Sequence, residues 1–234
     1  MPSLTASRYF NFRLALGIPL ALMAALLLFY PTSIDFALAR PFHVPGQGFI
    51  WRGNFWLEEV LHTGVRQTLA LLSIVIIGSF LYSLFPTRLR PWRRQLGYLV
   101  LAISLSTGII TPLKTLSAVQ CPWSLSEFDG PETFSELLSE RPHTANPGRC
   151  WPGGHASSGF SLLAFFFVFR DSHKRAARVA LFTALSLGVA CSLGRMAQGA
   201  HFLSHNVWTL LLDWFICALC YRWILYKDPR APQP

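Results

Sequence analysis

The sequence predicts an all-α integral membrane protein: one membrane-embedded domain over residues 1–234, built from six transmembrane helices with both termini cytoplasmic. Three observations carry this expectation. The composition is apolar, with 52% hydrophobic residues, 13% charged residues and a mean hydropathy of +0.39. Apolar runs lie at residues 14–30, 68–85, 96–113, 156–169, 179–193 and 207–225. Several approach the roughly 20 residues that cross a hydrocarbon core of about 30 Å. The third observation is the placing of the charges between the runs.

Arg8 and Arg13 precede the first run. A cleaved signal peptide would read similarly, but Phe29-Tyr30-Pro31 is a poor small-residue cleavage site, so the run reads as a retained span. The stretch 31–66 mixes Pro41, Pro45, Gly46, Gly48 and Gly53 with Trp51, Phe55 and Trp56, which suits headgroup depth. Within it, Glu58, Glu59 and His62 fit a short amphipathic helix ahead of the second run. Runs two and three are joined by Arg88, Arg90, Arg93 and Arg94 with no acid. A long polar stretch from Lys114 to His155 follows, with Glu127, Asp129, Glu132, Glu136 and Glu140 and two turn-forming clusters. The shorter fourth and fifth runs are joined by Arg170, Lys174, Arg175 and Arg178 against Asp171. Arg222, Lys227 and Arg230 follow the sixth.

Backbone in lipid must satisfy its own hydrogen bonds, and the runs lack the alternation of a barrel strand, so they read as helices. The basic joints hold most of the 20 Lys and Arg residues, which places them and both termini in the cytoplasm and the long loops outside. In a bacterium that is the inner membrane, with the long loops periplasmic. The same rule accounts for the net charge of +9. No basic stripe is interleaved with aromatics, which excludes nucleic acid as the expected partner. No obligatory protein partner is implied either.

Cys191, Cys217 and Cys220 fall in or at the apolar runs and read as buried thiols. Cys121 and Cys150 lie in the long external loop, where an oxidising compartment favours a disulfide. Such a bridge closes a loop of about 30 residues, worth on the order of 3–4 kcal/mol in the chain-entropy picture. Two unpaired thiols are the alternative.

Chemistry-bearing residues gather at the external ends of the runs. Lys114 follows the third, the turn Pro152-Gly153-Gly154-His155 opens the fourth, Arg195 follows the fifth, and His201 and His205 precede the sixth. Ionisable groups at membrane depth are costly, so their collection at one face points to function. Lys and Arg neutralise phosphate oxygens. A glycine turn opening a helix offers N–H donors to an anion. One imidazole can attack phosphorus while another protonates the leaving oxygen. His201 and His205 at i, i+4 could also pair on a metal, but no third or fourth ligand stands nearby. No metal and no cofactor are expected.

These residues, in this order, resemble the three signatures of the type 2 phosphatidic acid phosphatase superfamily, K-x6-R-P, P-S-G-H and S-R-x5-H-x3-D. Here they read Lys114-x6-Cys121-Pro122, Pro152-Gly153-Gly154-His155 and Gly194-Arg195-x5-His201-x3-His205. The resemblance implies His201 as the nucleophile that forms a phosphohistidine and His155 as the leaving-group acid. Lys114, Arg195 and the backbone of Gly153 and Gly154 would bind phosphate. Four positions depart from the pattern. Cys121 replaces a cation, Gly153 and Gly194 each replace a Ser, and His205 replaces the Asp that orients the nucleophile. Arg149 is a candidate for the missing cation; Asp213, Glu58, Glu59 and Glu127 are candidates for the missing acid. The implied activity is hydrolysis of a lipid phosphate or diphosphate in the external leaflet. A phosphotransferase, or a silent phospholipid-binding or transport protein, are the alternatives on the same scaffold.

Overall fold

The computed structural model describes residues 7–141 and 144–227; the tail from Asp228, with Arg230, lies outside the described residues. Helix α1 (Phe12–Leu28) is capped by the Asn11 side chain, which accepts from the Leu14 N–H at 3.2 Å. The chain then turns by 87° into α2 (Thr32–Ala39) and a 3₁₀ turn at Arg40–Phe42. Pro31 sits at this corner, where a missing N–H and the restriction on the preceding residue end a helix. A two-residue hairpin pairs His43–Val44 with Gly48–Phe49.

Trp56–Gly64 forms a π-helical turn that runs without a break into α3 (Val65–Ser83). The expected amphipathic segment is therefore not a separate helix: it extends the second span to Trp56–Ser83. Helix α4 (Arg93–Gly108) continues through a bend at Ile109 into α5 (Ile110–Ser117). After the long loop come α6 (Gly154–Phe160) and α7 (Leu163–Phe169), then α8 (Lys174–Ala197) and α9 (Leu203–Ile224).

Among the described residues, four helices are long and apolar enough to cross a membrane: Trp56–Ser83, Arg90–Ser124, Lys174–Ala197 and Leu203–Ile224. The bent pair of α1 with Thr32–Phe42 makes a fifth if taken as one span, and Gly154–Phe169 is apolar but shorter. Outward apolar side chains such as Leu71, Ile74, Val75 and Phe182 are more than half exposed, which suits a lipid-facing surface.

The core is where α4, α6, α7 and α9 meet. Tyr98, Ala102, Ala156, Leu163, Phe167, Cys217 and Tyr221 are buried there, and the Tyr98 hydroxyl donates to the Cys217 carbonyl at 3.1 Å. Helix α6 is seated against α8 through Gly159 and Gly188. A Cβ on Gly159 would lie 2.3 Å from the Gly188 nitrogen, so only hydrogen fits between the backbones.

The end of α9 near Ile224 carries a second polar cluster. Arg170 donates to the Tyr221 hydroxyl at 2.6 Å, to Asp171 Oδ1 at 3.0 Å and to the Arg8 carbonyl at 3.2 Å. Tyr221 donates in turn to Asp171 Oδ2 at 2.6 Å, and the Arg8 N–H to Asp171 Oδ1 at 3.0 Å. Arg170 also lies 4.5 Å from the centroid of the Phe10 ring. This cluster fastens the segment before α1 to the last helix.

Candidate active site

The three signatures come together around the first turn of α9. The Gly153 N–H donates to the His205 carbonyl at 3.0 Å, and Thr209 Oγ1 donates to the carbonyls of Gly153 and His205, each at 3.0 Å. The glycine turn is thus stitched to α9 by backbone. Its other face meets α5: a Cβ on Gly154 would lie 3.1 Å from Lys114 Cε and 3.3 Å from Nζ. The loop between is tied down as well. Cys121 and Cys150 are disulfide-bonded, with Cα atoms 5.2 Å apart, the Cys150 N–H donates to the Val119 carbonyl at 3.0 Å, and Ser117 Oγ donates to the Trp151 carbonyl at 3.0 Å. Trp123 N–H reaches the Gly199 carbonyl at 2.9 Å, joining this loop to the turn between α8 and α9.

Two imidazoles flank the start of α9, His201 just before it and His205 in its first turn. The rings of His201 and His205 have centroids 6.0 Å apart at 71°. Both side chains are buried, and His201 Nδ1, His205 Nδ1 and His205 Nε2 have no hydrogen-bond partner among the described residues. Burial, with Lys114, His205 and Arg195 close by, holds His201 well below the ordinary histidine range. At neutral pH it is an uncharged imidazole with an available lone pair, the form a nucleophile needs.

Lys114 makes no ion pair among the described residues, and its neighbours in charge are Arg195 and Arg149. Arg149 donates to Thr115 Oγ1 at 3.0 Å. Arg195, on the last turn of α8, donates to Glu58 Oε2 at 3.1 Å and to Gln198 Oε1 at 2.9 Å, while Gln198 Nε2 donates to the same Glu58 oxygen at 2.8 Å. Arg195 interacts with both His201 and His155. His155 itself donates from Nε2 to the Leu61 carbonyl at 3.0 Å, and its ring lies 4.6 Å from that of His62. Among the described residues no three His, Cys, Asp or Glu side chains cluster as a metal cage.

The PAP2 superfamily model matches residues 95–229, which holds all three signatures. The chain belongs to that superfamily. Among curated proteins, the lipid A 4'-phosphatase of Francisella tularensis subsp. novicida (strain U112) is 24% identical over 221 residues, covering 91% of this chain and 97% of that protein. No solved structure matches the chain.

Each departure from the PAP2 pattern has a local physical counterpart. Where PAP2 proteins carry Ser in the second signature, a Cβ on Gly153 would lie 2.3 Å from Asn206 Oδ1; the glycine makes room for that amide. Where they carry Ser in the third, a Cβ on Gly194 would lie 2.6 Å from Leu61 Cδ2, so the π turn occupies the space. Where they carry a second cation in the first, Cys121 is bridged to Cys150, next in sequence to Arg149. At the fourth, His205 has no carboxylate partner among the described residues.

The candidate acids lie elsewhere. Asp213 accepts from Ser157 Oγ at 3.2 Å inside the bundle, Glu127 from Ser126 at 3.3 Å, and Glu58 holds Arg195; none hydrogen-bonds His201 or His205. The N–H of Gly153, expected to face phosphate, is committed to the His205 carbonyl. A further residue here had no motif to mark it. Asp35, buried on α2, accepts from the Ser204 N–H at 2.9 Å and from its hydroxyl at 2.5 Å, capping the helix start beside His205. An acid inside the apolar stretch of α2 was the available sign.

Proposed function

We propose that this PAP2-superfamily membrane protein removes phosphate from a lipid phosphate monoester or diphosphate in the external, periplasmic leaflet, without a metal. Six spans with cytoplasmic termini give the bundle its orientation, the short α6–α7 pair counting as the fourth. The observation that carries the reading is an excess of cations facing unpaired imidazole nitrogens: Lys114 lacks a carboxylate partner, and His201 and His205 present three free ring nitrogens among the described residues. A dianionic phosphate is the complement of that arrangement.

In the first step the neutral His201 ring attacks phosphorus, the P–O bond to the leaving group breaks, and His155 gives that oxygen a proton. Lys114 and Arg195 neutralise the phosphoryl oxygens as negative charge shifts. In the second step water attacks the phosphohistidine, His155 takes back a proton, and phosphate departs. His205 stands where the usual carboxylate would, its ring centroid 6.0 Å from that of His201. The name of the relative, lipid A 4'-phosphatase, makes lipid A phosphate the first substrate to test.

The test is phosphate release by the purified protein from lipid A and from phosphatidic acid, with phosphoenzyme trapping. His201→Ala should lose turnover by about 10³-fold or more and trap no acid-labile, base-stable phosphoenzyme. Release that survives this substitution would overturn the mechanism. Labelled acceptor lipid without free phosphate would reassign the reaction as transfer. Because His201 stays neutral below the ordinary value of about 6.5, the acid limb of kcat/KM should lie below that pH. A limb that begins above it speaks against His201.

A further inference from the structure

The π turn at the head of α3 makes more contacts with the site than its place in the sequence foretells. It lies wholly outside residues 95–229, the part that carries the PAP2 signatures. Yet three of its residues reach those signatures. Glu58 Oε2 accepts from Arg195 and Gln198. The Leu61 carbonyl accepts from His155 Nε2 at 3.0 Å, while the Leu61 side chain fills the space over Gly194. His62 lies 3.3 Å from Glu58 Oε1 through Nδ1, and its ring meets that of His155 edge-on at 62° with centroids 4.6 Å apart. The wider π turn brings Glu58, Leu61 and His62 to one side of the helix, a distortion that recurs at functional sites.

We infer that His62, anchored by Glu58, is a positioning residue that acts through His155 and keeps this imidazole ready to protonate the leaving group. The inference rests on the reading of His155 as the leaving-group acid. A carbonyl oxygen only accepts, so the bond to Leu61 fixes the proton on His155 Nε2. The proton that can be given away is then the one on Nδ1. While it is held the ring is cationic, with the Glu58 carboxylate, the His62 ring and the Arg195 guanidinium all acting on it, so what His62 supplies is orientation and not charge. The edge of the His62 ring and the Leu61 carbonyl together fix the plane of His155, which sets the direction in which Nδ1 points. No proton passes through His62: His155 gives its Nδ1 proton to the departing oxygen and regains one from the attacking water.

A general acid matters in proportion to how badly the leaving group needs a proton. That separates a positioning role from a merely structural one. The full-length protein is assayed on short-chain phosphatidic acid, which must release an alkoxide, and on p-nitrophenyl phosphate, whose nitrophenolate leaves without a proton. His62→Gln should lower turnover of phosphatidic acid about tenfold and leave p-nitrophenyl phosphate within twofold. His155→Ala should show the same asymmetry, more strongly. The ratio is taken on one preparation, so loss of folded protein cancels. Should His62→Gln give no measurable protein, Glu58→Gln removes the anchor and should move the ratio the same way, with a raised KM from the freed Arg195. Equal loss on both substrates, or no loss on either, overturns the inference. His201→Ala run in parallel tells the two failures apart: if it abolishes both reactions while the His62 ratio stays flat, only the role of His62 falls; if it abolishes neither, the phosphohistidine reading falls with it.

Discussion

The two ends of α9 carry polar clusters of opposite character. Near Tyr221, Arg170 is fully engaged, with an aspartate, a phenol, two backbone carbonyls and an aromatic face around one guanidinium. Near His205, among the described residues, Lys114 makes no ion pair, the imidazoles hydrogen-bond no carboxylate, and Glu58 is the carboxylate paired with Arg195. Burial costs each end desolvation. One end meets that cost within the chain, and its use is to hold the first helix to the last. The other leaves it unmet, as a site does whose partner comes from outside.

The largest effect should come from breaking the satisfied end. Arg170→Met removes the cation from Asp171 and the donors to Tyr221 and to the Arg8 and Tyr9 carbonyls, and should lower stability by about 3–5 kcal/mol, while the kcat of the protein that remains folded is unchanged. Thermal unfolding in detergent alongside phosphate release checks both halves; a matching loss of kcat would mean the two ends are not separate. Lys114→Met should behave inversely. Phosphate-lipid affinity falls about 10–100-fold, read as KM or as direct binding, with thermal stability unchanged or higher, because a half-buried cation without an ion-pair partner has been removed. Destabilisation instead would show that Lys114 is structural. The smallest effect is expected at Asp35, which belongs to the site end yet is satisfied. Asp35→Ala should cost about 1–2 kcal/mol from the lost cap, with a modest fall in kcat as the start of α9 loosens. An unchanged melting temperature would remove the cap from the account.

How far the sequence carries depends on the range of the interaction. Membrane-length apolar runs are local, so α1, α3, α4, α8 and α9 could be read from composition, and the spacing of Arg195, His201 and His205 fixed the third signature. The structure also pairs Cys121 with Cys150, the two cysteines of the long loop. What escaped depends on contacts between distant parts of the chain. Glu58 stood out only as an acid with no address, and its address is Arg195, 137 residues later. Gly153 reads as a free anion-binding amide until α9 supplies the His205 carbonyl that takes its hydrogen. Gly194 looks like a lost hydroxyl until Leu61 is seen above it. The apolar pattern also set the start of the second span too late, because Glu58, Glu59 and His62 interrupt the hydropathy of a helix that the backbone continues through.

The cap that Asp35 provides to Ser204 joins positions 169 residues apart. A ribosome therefore delivers the acid long before the helix it caps. A nascent or truncated chain that stops before α9 already holds Lys114, the glycine turn, both bridging cysteines and His201, and lacks His205 and the Ser204 groups from which Asp35 accepts. Completion of the final helix is thus the step at which the Asp35 carboxylate and the Gly153 N–H meet their partners.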